Sequence, residues 1–241
     1  MSAVLKVGER TITAEEIIPL LAGYQLLPPL LRAIIIDEAI ASITCTDEEK
    51  DQALEKFYEQ NQITSPEAQQ AWLKRQGMSL QQLEALATRE LKIEKFKQQT
   101  WGHKLESYFL GRKSKLDRVI YSLIRTQDPG IIQEIYFRIQ EEEQSFAELA
   151  REYSKGPEAQ TGGLIGPVEM STPHPILAKM LMASQPGQVC PPTRLGEWLV
   201  VVRLEKFIPA QLDEVMRKRL MNECFTNWLT QQLNQQLELN E

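Results

Sequence analysis

Apolar residues are spaced differently in three zones of the chain. From Thr13 to about Lys113 they recur every three or four positions, which predicts a series of amphipathic helices. From Asp117 to Ile208 short apolar runs alternate with helical segments, as is typical of mixed α and β structure. From Ala210 to about Leu239 the helical spacing returns. The pattern therefore predicts an α+β domain between helical segments.

Helix ends in the first zone carry recognisable signals. Thr13, Thr46 and Ser79 each stand three residues before a glutamate or glutamine, the arrangement of a capping box. Ser65 precedes a proline, which favours a helix start, and Gly77 favours a helix end. We expect this zone to form an all-helical module.

Five segments of the middle zone have a clear period. Arg118–Thr126 predicts a buried strand, and Trp198–Val202 is an uninterrupted apolar run that predicts a central strand. Between them, helices are predicted over Ile131–Ile139, Phe146–Tyr153 and Ile176–Ala183. The predicted element order is β-α-α-α-β.

The last zone has more apolar residues than a solvent-exposed tail would carry. Its apolar stripe includes Leu220, Phe225 and Trp228. A helix this long needs a partner to bury such a stripe. We expect it to pack on the N-terminal helices.

Leu26–Ile43 is the most apolar segment of the chain. It is interrupted by two prolines and three charged residues, so it lacks the run of about 20 apolar residues that a spanning helix needs, and we expect a buried helix. The first residues, MSAVLKVGERTIT, lack the pattern of a secretory signal, and a cytoplasmic location is predicted.

Composition excludes several classes of function. With 241 residues, 42% of them hydrophobic and 25% charged, the chain is expected to form one or two globular domains. A net charge of −6 and a pI near 5.2 give no electrostatic footprint for nucleic acid or an anionic membrane. Cys45, Cys190 and Cys224 are too scattered for a disulfide framework, and with only His103 and His174 no metal site is expected. No cofactor is expected either.

Several motifs of the middle zone follow one another in a set order. They are F-A-E-L-A-x-x-Y-S at Phe146–Ser154, the pair Gly162-Gly163 with Gly166 after it, P-G-Q-V from Pro186, and Thr193-x-x-Gly196. In order and spacing this series resembles the parvulin family of peptidyl-prolyl isomerases. The surrounding helices, with V-G-x-x-x-I-T near the start, look like SurA- and PrsA-type foldases. The resemblance implies a helical module over 1–114, a parvulin-like domain over 115–208 and a C-terminal helix over 209–241.

The chemistry that this resemblance implies needs no nucleophile. Rotation about an Xaa-Pro bond crosses a barrier of about 20 kcal/mol that is set by amide resonance. A site lowers that barrier when it holds the twisted amide better than the planar one. By resemblance, the proline ring would be held by Ile165, Pro173 and Leu177, which are all apolar.

The polar positions of the family are largely substituted in this chain. By resemblance, the two family histidines fall at Ser122 and Trp198, and the family cysteine or aspartate falls at Gly156. Thr193 is the matched polar residue that stays. Ser122, Thr193 and Trp198 are therefore the candidate catalytic positions, and weak activity is expected. Cys190 is expected to be structural because no histidine is placed to activate it.

Three functions stay open at this point. The first is a peptidyl-prolyl isomerase and foldase that acts on proline-containing segments of unfolded or maturing polypeptides. The second is a catalytically inactive peptide-binding chaperone or maturation factor. In the third, the helices alone mediate assembly with one dedicated partner.

Overall fold

The chain divides into two compact units in the computed structural model, which describes residues 3–237. The helical unit contains the described residues up to Leu105 and those from Glu214 onward, and the sheet unit is Glu106–Asp213. Residues 106–114, which the sequence analysis placed in the helical module, fall in the sheet unit.

The helical unit is built from both ends of the chain. Its described elements are a hairpin of β1 (Ala3–Val7) and β2 (Arg10–Thr13), then α1 (Ala14–Gly23), α2 (Leu27–Ile40), α3 (Asp47–Gln60), α4 (Pro66–Gln76), α5 (Leu80–Trp101) and finally α10 (Glu214–Leu237). The predicted helical texture of this zone is confirmed.

The predicted capping residues lie where the helices begin and end. The Glu49 backbone N–H donates to Thr46 Oγ1 at 3.3 Å, and the Gln82 N–H donates to Ser79 Oγ at 3.2 Å. Gly77 ends α4 with φ of 63°, a left-handed conformation that costs glycine little. Local sequence signals therefore set these boundaries.

Four aromatic rings join α10 to the end of α5. Trp228 lies 5.2 Å from Phe96 and stacks on Phe225 at 5.6 Å, with Trp101 beside them at 6.2 Å from Trp228. The Lys97 ammonium donates to Asn222 Oδ1 at 2.7 Å. The aromatic part of the α10 stripe thus packs on α5, and α10 also contacts α2. The predicted end of this helix, Leu239, lies outside the described residues.

The apolar segment around α2 is less buried than the sequence predicts. Only Ile35 and Ile40 of α2 are buried, whereas Leu30 and Ile34 are exposed, so the expectation of a buried helix is wrong for most of its surface. Within residues 3–237 no single helix is long and apolar enough to cross a membrane. Together α1 and α2 reach that length and composition, but the chain bends by 107° between them.

The sheet unit has four strands and four helices among its described elements. They are α6 (Leu105–Leu116, all but its first residue), β3 (Arg118–Thr126), α7 (Pro129–Gln140), α8 (Phe146–Tyr153), β4 (Leu164–Glu169), α9 (Pro175–Ala183), β5 (Val189–Leu195) and β6 (Trp198–Ile208). The sheet is antiparallel with strand order β4-β3-β6-β5. The α+β class and the predicted strands and helices are confirmed.

Two strands were missing from the predicted order, so β-α-α-α-β becomes β-α-α-β-α-β-β. Both of them, β4 and β5, are edge strands that contain proline: Pro167 in the first, and Pro191 with Pro192 in the second. Proline cannot donate a ladder hydrogen bond, so a run that contains it does not look like a strand, yet an edge strand tolerates it.

The sheet has two differently covered faces. On one face, which we call the α9 face, Val119, Tyr121 and Leu123 of β3 pack with Leu177 and Leu181 of α9. On the other, the α7–α8 face, Ile124 and Val201 pack with residues of α7 and α8. Successive residues of a regular strand point to opposite faces, which assigns the residues of β3 from Tyr121 onward and their partners in β6 to one side.

Candidate functional site

The three predicted apolar and aromatic site residues share the α9 face. Leu177 belongs to the buried cluster of that face, and Ile165 and Trp198 pack against the same cluster. Leu177 is only 6% exposed, so it is part of the core rather than an open pocket wall. Ile165 and Trp198 are half-buried and can reach a ligand.

Thr193 and Arg125 also belong to the α9 face. Both are cross-strand partners of Val200, a residue of the α9-face cluster, and directly paired residues of antiparallel strands share a face. The Thr193 hydroxyl donates to the Pro191 carbonyl at 3.0 Å, which leaves its lone pairs as acceptors.

Pro173 is buried in the loop that leads into α9, and His174 begins that helix. His174 is exposed, and its Nδ1 accepts the Ile176 backbone N–H at 3.3 Å. A helix-capping role accounts for this histidine. The predicted place of Pro173 in the pocket beside Ile165 stays a prediction.

Ser122 is not brought together with the other predicted residues. It pairs with Arg203, and its hydroxyl hydrogen-bonds to Glu205 Oε1 at 2.5 Å. The Arg203 guanidinium lies 5.0 Å from the ring centre of Phe146, a residue of the α7–α8 face. Ser122 therefore lies on the opposite face of the sheet from Trp198. Placing Ser122 in the site was off by one residue, and one residue along a strand reverses the side chain.

Tyr121 takes the place on β3 that Ser122 was expected to fill. It lies in the α9-face cluster with 6% of its surface exposed, and it pairs with Ile165 of β4. Burial raises the pKa of the Tyr121 phenol, and the negative charge of Glu158 raises it further. The phenol is therefore neutral at pH 7 and can donate a hydrogen bond.

A buried ion pair accounts for the glycine at position 156. Arg125 Nε and Nη2 donate to the two carboxylate oxygens of Glu158 at 3.0 and 2.9 Å, and the Glu158 side chain is 3% exposed. A Cβ at Gly156 would lie 2.1 Å from both of those nitrogens. The backbone of Gly156, with φ of −116°, suits any residue. A side chain at position 156 would therefore have to displace the Arg125–Glu158 pair, although the backbone conformation would accept it.

The same guanidinium lies over an aromatic ring of the site. The centre of the Arg125 guanidinium is 5.6 Å from the Trp198 ring, a cation–π distance. Ser154 helps to hold the Arg125–Glu158 pair in place. Its hydroxyl lies 2.6 Å from Glu158 Oε1 and accepts the Arg125 backbone N–H at 3.1 Å. The α9 face thus offers apolar surface, one charged donor and one neutral phenol.

Comparison with known proteins identifies the segment that carries most of this face. Residues 126–206, about a third of the chain, match the family model for the rotamase, or PPIC-type PPIASE, domain. The chain carries a parvulin-type rotamase domain. The match covers α7 to α9, β4, β5 and most of β6.

The parts of the chain outside the rotamase domain also have relatives. A chaperone SurA of Cupriavidus pinatubonensis is 25% identical over 175 residues, which cover 63% of this chain and 35% of that protein. The match thus spans about a third of the length of this curated relative. The crystal structure of the peptidylprolyl isomerase PrsA from Bacillus cereus is 17% identical, with a TM-score of 0.52 over 98% of this chain and 92% of the other. That likeness supports the fold of the helices together with the rotamase domain.

A third similar structure comes from a study of two SurA-like chaperones of Campylobacter jejuni, one of them described as periplasmic. It is 19% identical and covers 100% of this chain and 98% of the other, with a TM-score of 0.38. The predicted cytoplasmic location gains no support from these comparisons.

Sequence reasoning missed three functional candidates in the sheet unit: Tyr121, Arg125 and Glu158. Alternation along β3 gives the signal for the first two, because Tyr121, Leu123 and Arg125 stand at every second position. Glu158 gives no such signal, since it lies in a short 3₁₀ turn, Pro157–Thr161, and pairs with a residue far away in sequence.

The remaining candidates have structural roles. Cys190 is buried, and its sulfur lies 3.2 Å from the Ser184 hydroxyl. His103 is exposed in the 3₁₀ turn after α5. Within residues 3–237 no group of three or more histidine, cysteine or acidic side chains is arranged to hold a metal ion. The sheet unit presents hydrogen-bond donors and apolar surface on its α9 face.

Proposed function

We propose that this chain is a peptidyl-prolyl cis–trans isomerase and foldase with a weakened site, acting on proline-containing segments of unfolded or maturing polypeptides. The observation that carries the proposal is the α9 face of the sheet unit, where Ile165, Trp198 and Arg125 lie around one apolar cluster, in a unit that contains the rotamase match. An apolar surface can hold the proline ring and exclude water from the planar amide, while a donor can bind its carbonyl oxygen.

Weak activity follows from the side chains at the family's polar positions. Trp198 offers one donor on a bulky ring, and Gly156 offers none. Thr193 has its hydroxyl proton engaged by Pro191. The set that would order the hydrogen bonds around a bound amide is thus reduced to Tyr121 and Arg125, and loss of polar contacts affects the twisted amide more than ground-state binding.

The same substitutions favour a second candidate, a peptide-binding chaperone or maturation factor without turnover. The apolar surface alone suffices for binding, because burial of a proline ring needs no polar partner. Extended polypeptide is the partner in both proposals. A cytoplasmic location stays a prediction from the sequence, and fractionation of the cells that make the protein tests it.

One experiment separates enzyme from binder. Exchange NMR on a panel of Xaa-Pro tetrapeptides measures the cis–trans rate with and without the protein, and line broadening reports binding in the same sample. Turnover above the uncatalysed rate supports the isomerase. Broadening without turnover supports the chaperone, and neither effect on any peptide would contradict both.

A further inference from the structure

The space beside Gly156 is filled by a side chain from another part of the chain. In the resemblance that places the site, a side chain at position 156 supplies a polar group, and this chain has glycine there. The volume next to Gly156 is nevertheless filled, because Arg125 Nε and Nη2 lie 2.1 Å from where a Cβ would be. A guanidinium from β3 thus occupies the space of the absent side chain.

We propose that Arg125 is the residue that donates a hydrogen bond to the bound peptide, in place of the side chain absent at Gly156. This role rests on the proposed proline site. It assigns the recognition of the substrate amide to a charged donor.

The guanidinium is held in one orientation and keeps a free donor. The Glu158 carboxylate accepts hydrogen bonds from Nε and Nη2, and the Ser154 hydroxyl in turn hydrogen-bonds to Glu158. Within residues 3–237, Arg125 Nη1 makes no hydrogen bond, and the side chain is 29% exposed. A donor held in place before the ligand arrives loses little entropy on binding, which makes its hydrogen bond more effective.

The surroundings of Arg125 place that free donor at the apolar surface. The guanidinium lies over Trp198, and the charge of Glu158 is felt at Tyr121, both on the α9 face. The positive charge is balanced by Glu158, so an acidic substrate is not required. The carbonyl oxygen next to every Xaa-Pro bond is an uncharged acceptor. It suits an arginine donor whose charge is already balanced by a carboxylate.

The chain provides a matched control on the other face of the sheet. Arg203 pairs with Glu205 through Nε at 2.8 Å, lies 5.0 Å from the Phe146 ring centre, and has a side chain 31% exposed. Its pairing, ring contact and exposure resemble those of Arg125. Its position on the α7–α8 face removes it from the proposed site.

Two variants of the full chain test the donor. Arg125→Lys keeps the charge opposite Glu158 but loses the planar fork, and Arg203→Lys makes the same change on the control face. We expect Arg125→Lys to lower kcat/KM for an Xaa-Pro tetrapeptide by about tenfold or more, the effect of losing one charged hydrogen bond. Arg203→Lys should leave kcat/KM within about twofold, since it changes no group on the α9 face. Urea unfolding of both variants measures whether their folds lose stability equally.

A second measurement needs no substrate and tests whether the Arg125 guanidinium fills the space beside Gly156. Gly156→Ala should lower the urea midpoint of the native chain, because its Cβ collides with the Arg125–Glu158 pair. In a chain that already carries Arg125→Ala and Glu158→Ala, the same change should cost little. Equal costs in the two backgrounds would overturn the claim that the guanidinium fills this space.

The outcomes separate the two proposals. If the native chain turns over or binds Xaa-Pro peptides and Arg125→Lys matches it, the role of Arg125 is overturned and the proposed function stands. If the native chain does neither, the proposed function fails and the substrate role of Arg125 fails with it. A loss specific to Arg125→Lys, with Arg203→Lys unchanged, supports both.

Discussion

Ser122 and Trp198 stand on opposite faces of the same antiparallel sheet, although the family resemblance would set them side by side beneath one site. The Ser122 hydroxyl bonds to Glu205 on the α7–α8 face, while Trp198 packs on the α9 face under Arg125. The residue of β3 that shares a face with Trp198 is Tyr121. This difference decides which substitutions could restore family-like activity.

Replacing Ser122 and Trp198 by histidine is expected to leave isomerase activity unimproved. A histidine at Ser122 would enter a packed face and displace the bond to Glu205, so about 1–3 kcal/mol of stability should be lost. Tyr121→His with Trp198→His puts both imidazoles on the α9 face and should raise kcat/KM about fivefold, the effect of one ordinary hydrogen bond. Exchange NMR on the two double variants measures both rates. A larger gain from the Ser122 pair would contradict the face assignment.

Leu177→Asp is expected to unfold the rotamase domain rather than to block binding selectively. Leu177 is 6% exposed in the α9-face cluster, and an unpaired charge in such a place costs about 3–5 kcal/mol. Urea unfolding followed by near-UV circular dichroism measures the loss. A stable Leu177→Asp protein would show that this side chain lines an open pocket.

Ile165→Asp is expected to weaken peptide binding while most of the stability is kept. Ile165 is half-buried on the edge strand β4, so the new carboxylate stays partly hydrated. Its neighbour Leu164, 49% exposed, points to the other face and provides the matched control Leu164→Asp. Peptide titrations by NMR should show weaker binding for the first variant and unchanged binding for the second. Equal effects would remove Ile165 from the site.

Trp228→Ala is expected to destabilise the helical unit by about 2 kcal/mol, roughly half the cost of removing a fully buried aromatic side chain. The Trp228 ring contacts Phe96, Trp101 and Phe225, all within 6.2 Å between ring centres. Thr226→Ala, an exposed position of the same helix, should change stability by less than about 0.5 kcal/mol. Thermal unfolding followed by tryptophan fluorescence and far-UV circular dichroism compares them, and similar midpoints would contradict the role of the aromatic cluster.

Tyr121 is expected to make the stability of the protein fall at alkaline pH. Because the pKa of this phenol is raised in the folded chain above its ordinary value of 10.0, the unfolded chain releases the proton first as the pH rises. The contribution is fully present below pH 10 and is lost between that pH and the higher folded pKa. Tyr121→Phe should flatten the urea-midpoint profile between about pH 9 and 11 relative to the native chain. Parallel profiles would contradict the shift.

Sequence patterns predicted the elements that depend on neighbours in the chain. The capping residues, β3 and α8 depend on local signals, and their predicted bounds agree with the structure. The edge strands β4 and β5 were missed because runs that contain proline do not look like strands. Only the sheet order shows that both lie at an edge, where proline is tolerated. The pair of Arg125 and Glu158 joins residues 33 positions apart, and no local pattern encodes it. The side of the sheet on which Ser122 lies could be assigned only from the pairing register of β3 with β6.

The return of α10 to α5 has a consequence for the order of events during synthesis. Residues 106–213 leave the ribosome before residue 214, so the sheet unit can begin folding while α5 still lacks its partner helix. At a synthesis rate of about 5–20 residues per second, Phe225 and Trp228 emerge several seconds or more after Phe96 and Trp101, the residues that they contact in the folded chain. During that interval the nascent helices expose aromatic surface of their own. A chain built this way would itself need protection while it is being synthesised.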